Sequence, residues 1–256
     1  MDNIIKYPRT PHLVGSRLQS GDEDLAELPF ARVLGRYAVI EEKVDGANVA
    51  VSFTEEGEML LQSRGHYLTG GGRERHYDRF KVWAAERREV LFSLLSDRYI
   101  MYGEWLYAKH KVYYDALPDF FLEFDILEKK TGRFLDTESR RALLKDTGIY
   151  SVPVLASGVF TREKDILKHL SRSLYVTDAP LDALREECER LSLDYDKILA
   201  ETDGSTLAEG LYIKIEENGS VSDRMKYVRH GYTQTAAVSD GDWKHRPVIP
   251  NRKRRV

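Results

Sequence analysis

The stretch between residues 37 and 62 constrains the fold most. Three short apolar runs, at 37–40, 49–53 and 59–62, are separated by Asp45-Gly46 and by the polar group Glu55-Glu56-Gly57-Glu58. Runs of this length bounded by Gly and acidic residues are strand signals, and Gly takes the positive φ of a tight turn at no steric cost. The spacing predicts a three-strand meander with Lys43 at its first corner. A lysine on the shoulder of such a turn is either a solvated turn residue or a nucleophile held in a pocket.

Downstream the pattern alternates between periods. Tyr77, Phe80, Trp83, Ala84, Val90, Leu91, Leu94 and Leu95 recur at helical spacing, which predicts one amphipathic helix over 76–96. Strands are expected over 99–108, 120–127, 152–156, 210–216 and 224–229. Helices are expected over 137–145, with Thr137 as N-cap, and over 163–170 and 180–191. Antiparallel strands with helices inserted in blocks mean an α+β fold. Residues 1–30 are irregular, with Leu13, Val14, Leu18, Leu25 and Leu28 as anchors on a core. Arg9, His12, Ser16 and Arg17 there face either a ligand or solvent. Near the other end Trp243, Pro247, Val248, Ile249 and Pro250 are expected to return onto the core.

At 256 residues the chain is long enough to bury a sizeable core. A net charge of −3 argues against a blanket nucleic-acid coat but leaves room for a local basic groove. Arg252-Lys253-Arg254-Arg255 is either a solvated tail or a phosphate-attracting one. The single cysteine, Cys188, can form neither an intramolecular disulfide nor a cysteine zinc site, which suits a reducing cytosol. No apolar run approaches the length of a membrane span, so a cytoplasmic protein is expected.

If Lys43 is a nucleophile, its pKa has to fall, through burial or neighbouring cations. Lys214, Arg224 and Lys226, on late strands, are the cations available. Attack by an amine on phosphorus also needs the phosphates held and neutralised by Lys, Arg and Mg²⁺. Glu104 and Glu209 are the carboxylates that could orient a ribose or a metal's water shell, and Phe124 offers a face to a purine. Each feature alone is weak. Their order is the signal: Lys-x-Asp-Gly, Ser-Arg-Gly, Gly-Glu, Phe-Asp, Glu-Gly-x-x-x-Lys, then a basic strand.

That order resembles the covalent nucleotidyltransferases, and within them the RNA ligase 2-like branch, over residues 37–229. Glu42-Lys43-Val44-Asp45-Gly46-Ala47-Asn48 is similar to the lysine motif of that superfamily, and the asparagine five residues after the lysine favours RNA ligases over DNA ligases. Met101-Tyr102-Gly103-Glu104-Trp105, Phe121-Leu122-Glu123-Phe124-Asp125-Ile126 and Glu209-Gly210-Leu211-Tyr212-Ile213-Lys214 are similar to the motifs that follow.

The resemblance implies an ATP-grasp-like ligase adenylation domain of antiparallel sheets with flanking helices. It implies ATP and Mg²⁺ (or Mn²⁺) as cofactors and RNA with 5′-phosphate and 3′-hydroxyl ends as substrate. An end-healing kinase or phosphatase partner is also suggested. By position, Lys43 forms lysyl-AMP, Arg64 contacts phosphate, Glu104 binds the ribose hydroxyls and Phe124 stacks on adenine. Glu209 places the metal and the lysine, Lys214 and Lys226 neutralise the phosphates, Asn48 acts on the RNA ends, and Glu42 reads adenine.

Two departures stand out. The last basic motif reads either as Lys226 with Val228 or as Arg224 with Lys226, which leaves Arg229 unassigned. Residues 230–256 are too few for an added C-terminal domain, so 1–256 is expected to be one domain with a short basic tail at 241–256. A DNA ligase, an mRNA capping guanylyltransferase and an idle RNA-end-binding module are the alternatives.

Overall fold

The computed structural model describes residues 4–18, 22, 24–232 and 247–254. In chain order the elements are β1 (His12–Leu13), β2 (Glu27–Leu28), β3 (Tyr37–Lys43), β4 (Ala47–Phe53), β5 (Met59–Ser63), α1 (Asp78–Glu86), α2 (Arg88–Leu95), β6 (Tyr99–Trp105), β7 (Phe121–Glu128) and β8 (Arg133–Phe134). They continue with α3 (Thr137–Leu144), β9 (Tyr150–Ser151), β10 (Val154–Val159), α4 (Glu163–Leu167), α5 (Pro180–Arg190), α6 (Tyr195–Ala200), β11 (Gly210–Glu217) and β12 (Ser220–Val228).

Two sheets carry the fold. One runs β10-β3-β11-β12-β1-β2 and the other β5-β4-β6-β7-β8, with β9 beside β7. The long pairings are antiparallel; only the two-residue strands β1, β2 and β9 add parallel pairs. The expected α+β class holds. The expected meander does not, because β3 and β4 lie in different sheets. The Lys43 corner is a crossing between sheets, and Gly46 serves it by close approach rather than by a positive φ. A Cβ on Gly46 would lie 2.7 Å from both the Trp105 carbonyl oxygen and Leu106 Cδ2.

Period-two alternation explains the layering. On β4, Val49, Val51 and Phe53 pack with Phe80, Trp83, Leu91 and Leu95 of α1 and α2. Ala50, on the other face, joins Tyr7, Tyr102, Leu127 and Phe134 between the sheets. The outer face of the first sheet, with Ala38, Ile40, Leu211 and Ile213, is closed by Phe30, Val33 and Ile166.

Several expectations need correction. The helix over 76–96 is two helices, broken at Arg87, whose φ of −108° and ψ of 12° are not helical. The Arg87 guanidinium stacks back over Trp83 at 5.0 Å. The N-cap of α3 is Asp136, which accepts the Ser139 N–H at 2.9 Å, while Thr137 donates to Glu216. Val14 is exposed, whereas His12 and Ser16 are buried. Trp243 and Arg255 lie outside the described residues. Ile249 is buried as expected, and its carbonyl accepts the Lys109 N–H. Arg252 and Lys253 are tied to the body through Glu186 and Asp119. Among the described residues no helix is long and apolar enough to cross a membrane.

Candidate active site

Strand register assembles the site from distant parts of the chain. Gly210 pairs with Lys43 across β11 and β3, which sets Glu209 beside the lysine. Asn48 lies opposite Glu104 across β4 and β6. Lys226 lies opposite Tyr212, and Tyr212 lies opposite Glu41. Phe124 sits at an irregularity: Tyr102 pairs with Asp125 but Gly103 pairs with Glu123, leaving Phe124 as the extra residue of a bulge. A bulge re-aims a side chain and frees its backbone from the ladder. Both effects are used here. The Phe124 ring lines the cleft, and its carbonyl accepts Arg140 Nη1 and Lys214 Nζ.

The cleft between the sheets has a volume of about 650 Å³. Glu42, Lys43, Asn48, Arg64, Glu104, Phe124, Glu209 and Lys226 all line it, together with Tyr7, Arg9, Thr10, Asp22, Asp45, Tyr77 and Tyr212. Lys43 Nζ stands 2.6 Å from Glu209 Oε2, with the lysine side chain 20% exposed and Glu209 1%. Glu104 Oε1 accepts the Gly46 N–H at 3.0 Å. Asp45 Oδ2 accepts the backbone N–H groups of Lys111 and Val112 at 2.7 and 3.0 Å. Arg64 is exposed on the cleft wall, with no carboxylate partner among the described residues. Lys226 is paired with Asp22.

One expected site residue, Lys214, does not line the cleft. Lys214 is fully buried behind the cleft, bridging Glu41 at 2.9 Å and Asp125 at 3.2 Å. Its strand position faces the interior between the sheets, away from the cleft wall. Glu42 alternates away from Lys43 on β3. Its carboxylate accepts the Ser173 hydroxyl at 2.5 Å and the Leu174 N–H at 3.1 Å, and the residue still lines the cleft. In the last basic motif, positions 224, 226 and 228 alternate onto one side of β12. Arg224 and Lys226 share one face of β12. Arg229, one residue past the end of β12, is buried against Asp203, Ser205 and the Ala208 carbonyl. Arg224 lies over the Phe134 ring at 4.0 Å.

The electrostatics differ from the expected lowered lysine. Burial pulls the Lys43 ammonium down, but Glu209, Glu104 and Asp45 outweigh it, and its pKa stands above the ordinary lysine value. Burial pushes Glu104 up to about 8 against the pull of Lys43, with Glu209 and Asp45 adding to the rise. Burial lowers Lys226; Asp22 opposes that, and Lys43 reinforces it. Without a nucleotide, then, Lys43 is a held ammonium. Among the described residues no group of three or more His, Cys, Asp or Glu side chains is arranged around a metal position. Glu209 could supply one carboxylate to an ion completed by phosphate oxygens and water, which suits Mg²⁺ better than a full protein cage.

Several lining residues were not legible as site residues. Tyr7, Thr10 and Asp22 belong to the irregular N-terminal segment, which has no period to read, whereas Arg9 there, expected to face a ligand or solvent, lines the cleft. Arg140, on α3, reaches Glu41 at 2.6 Å and Glu123 at 2.9 Å.

No curated protein matches this chain. Among solved structures, an Asp-to-Ala variant of the Naegleria gruberi RNA ligase without ligand superposes with a TM-score of 0.51 at 15% identity, covering 79% of this chain and 52% of that one. A Lys-to-Ala variant of the same ligase, solved with ATP and Mn, gives 0.50 at 14% identity, covering 91% and 62%. An archaeal ATP-dependent RNA ligase gives 0.48 at 18% identity, covering 90% and 49%. The chain thus spans about half to three-fifths of the solved chains it matches, and the first two show likeness in fold. The sequence profile of the RNA ligase family matches residues 36–228, about three quarters of the length. The chain belongs to the RNA ligase family.

Proposed function

We propose that this chain is an ATP-dependent RNA ligase working through a lysyl-AMP intermediate. One observation carries the reading: a single cleft brings Lys43 together with Glu209, Glu104, Arg64, Lys226 and Phe124, drawn from both sheets. Family membership supports RNA as substrate, and the Naegleria gruberi ligase solved with ATP and Mn supports nucleotide and divalent-ion use.

In the first step Lys43 Nζ, once deprotonated, bonds to the α-phosphorus of ATP, and the bond to the pyrophosphate oxygen breaks. Glu209 aims the amine, Arg64 and Lys226 offset the phosphate charge, Phe124 stacks on adenine and Glu104 receives the ribose hydroxyls. A divalent ion, Mg²⁺ or Mn²⁺, on Glu209 and phosphate oxygens would weaken the carboxylate field that keeps Lys43 protonated. In the second step the 5′-phosphate of RNA displaces Lys43 and takes the AMP. In the third the 3′-hydroxyl attacks that phosphate and AMP leaves, with Asn48 beside the ends. Position and fixed charge supply most of the rate in such transfers. Lys214 acts from behind, by fixing the Phe124 carbonyl and Glu41. The 5′-phosphate and 3′-hydroxyl specificity, a partner that heals ends and a cytoplasmic setting follow the same family reading.

The test is incubation with α-labelled ATP and Mg²⁺. A labelled protein band is expected. It should be lost in Lys43→Ala and kept in Lys197→Ala, a variant at a largely exposed lysine. Label from GTP instead of ATP would point to a capping enzyme, and better sealing of nicked DNA than of RNA to a DNA ligase.

A further inference from the structure

Lys226 is not left open for phosphate. Its ammonium is held by Asp22, which comes from the N-terminal segment and also lines the cleft. Asp22 is itself held. Buried His12 approaches it through Nε2 at 3.2 Å, and His12 Nδ1 lies 2.7 Å from Ser16 Oγ. Ser16 Oγ accepts the Val228 N–H at 2.8 Å, and because the Asp22 carboxylate can only accept, the neutral His12 ring carries its proton on Nε2 and takes the Ser16 hydroxyl proton at Nδ1. The proton on His12 then sits on Nε2, donated to Asp22. The arrangement closes on itself, because His12 pairs with Lys226 across β1 and β12 and Lys226 N–H donates to the Pro11 carbonyl. Arg9 adds a second cation 3.5 Å from Asp22, although its main partner is Asp24.

One anion, ringed by Lys226, His12 and Arg9 on the wall of a nucleotide-sized cleft, occupies a place suited to a phosphate. A carboxylate and a phosphate compete for the same ammonium. We propose that Asp22 is a positioning residue for the ligase reaction, an inference that rests on the function proposed above. It holds the Lys226 ammonium while no phosphate is bound, yields it to the triphosphate of ATP, and takes it back when pyrophosphate leaves. Re-pairing disfavours return of pyrophosphate and so commits the enzyme to lysyl-AMP. The bonds exchanged are those of the first step: Lys43 N–P forms, P–O to pyrophosphate breaks, and the lysine proton goes to solvent.

The experiment is a titration of label formation against ATP, and of label removal against inorganic pyrophosphate, in wild type, Asp22→Asn and Asp22→Glu. Asparagine keeps an acceptor for Lys226 and removes the charge. The expected result for Asp22→Asn is a half-saturating ATP concentration about three- to tenfold lower, with the plateau rate within about twofold, since only competition for binding is removed. The pyrophosphate concentration that strips half the label should fall by a similar factor, and Asp22→Glu should restore both toward wild type. A half-saturating ATP that rises or stays put, or an Asp22→Asn protein that takes no label while wild type does, overturns the proposal. A wild type that takes no label defeats the ligase reading, and the Asp22 proposal falls with it. If Asp22→Asn fails to fold by thermal melting, Asp22→Ser carries the same expectation.

Discussion

The front and back of the cleft are both built from charge, and they use it differently. On the front, Arg64 has no carboxylate partner among the described residues, and Lys43 and Lys226 each lean on one close carboxylate, Glu209 and Asp22. Behind, Arg140, Lys214 and Arg224 interlock with Glu41, Glu123 and Asp125, and the Phe124 carbonyl takes two of the three cations. A cation with one partner in a solvent-reached cleft can exchange it for phosphate. A cation with several partners and no exit can only hold structure, and removing it strands buried carboxylates. The difference sorts residues of similar chemistry into those that meet substrate and those that shape the place where substrate sits.

The largest effect should come from breaking the back. Arg140→Met leaves Glu41 and Glu123 buried and underpaired, both with fully buried side chains. A loss of about 3–5 kcal/mol is expected, read as a drop in the denaturant midpoint. An unchanged midpoint would erase the contrast between front and back.

Next comes the pH dependence of label formation. Lys43 has a pKa raised by Glu209, Glu104 and Asp45 over the opposing effect of burial, so its neutral fraction at pH 6–8 is small and climbs with pH. With saturating ATP, the initial labelling rate should rise about tenfold per pH unit across that range, the slope of one titrating proton. A flat profile would mean that bound nucleotide has already removed the proton.

Arg64→Ala sharpens the comparison from the front. Stability should stay within about 0.5 kcal/mol of wild type, as for an exposed side chain. The labelling rate should fall about tenfold or more, as one charge contact to the phosphates is lost. Equal damage to both measurements would make Arg64 a structural residue.

The last effect concerns Glu104, whose folded pKa of about 8 lies above its unfolded value. A carboxyl raised in this way favours the fold below its unfolded pKa and loses that contribution as pH rises through the folded one. The melting temperature of Glu104→Gln relative to wild type should therefore climb steadily between about pH 5 and pH 8. A constant gap would place Glu104 in a wetter setting.

The order of the motifs was legible because each lies on or beside a strand with its own local signature. Sheet membership was not. An Asp-Gly step between two apolar runs reads as a hairpin whether or not the runs pair, and nothing local records that β3 pairs with β10 and β11 instead. Two features of the site have different origins. The turn of Glu42 away from Lys43 was present in the period-two pattern, since neighbours on a strand face opposite ways. The burial of Lys214 was not, because an alternating strand looks the same whether its polar face meets solvent or the carboxylates of another sheet. The bulge at Phe124 and the contribution of Tyr7 and Asp22 depend on long-range register and on an irregular segment, which leave no periodic trace.

The central claim is that Lys43 becomes covalently adenylated in this cleft. It is tested most directly by mass spectrometry of the peptide containing Lys43 after incubation with ATP and Mg²⁺. The account predicts an added AMP on Lys43, absent in Lys43→Ala and released by pyrophosphate. An intact, folded protein that carries no AMP, or carries it on another residue, would contradict it.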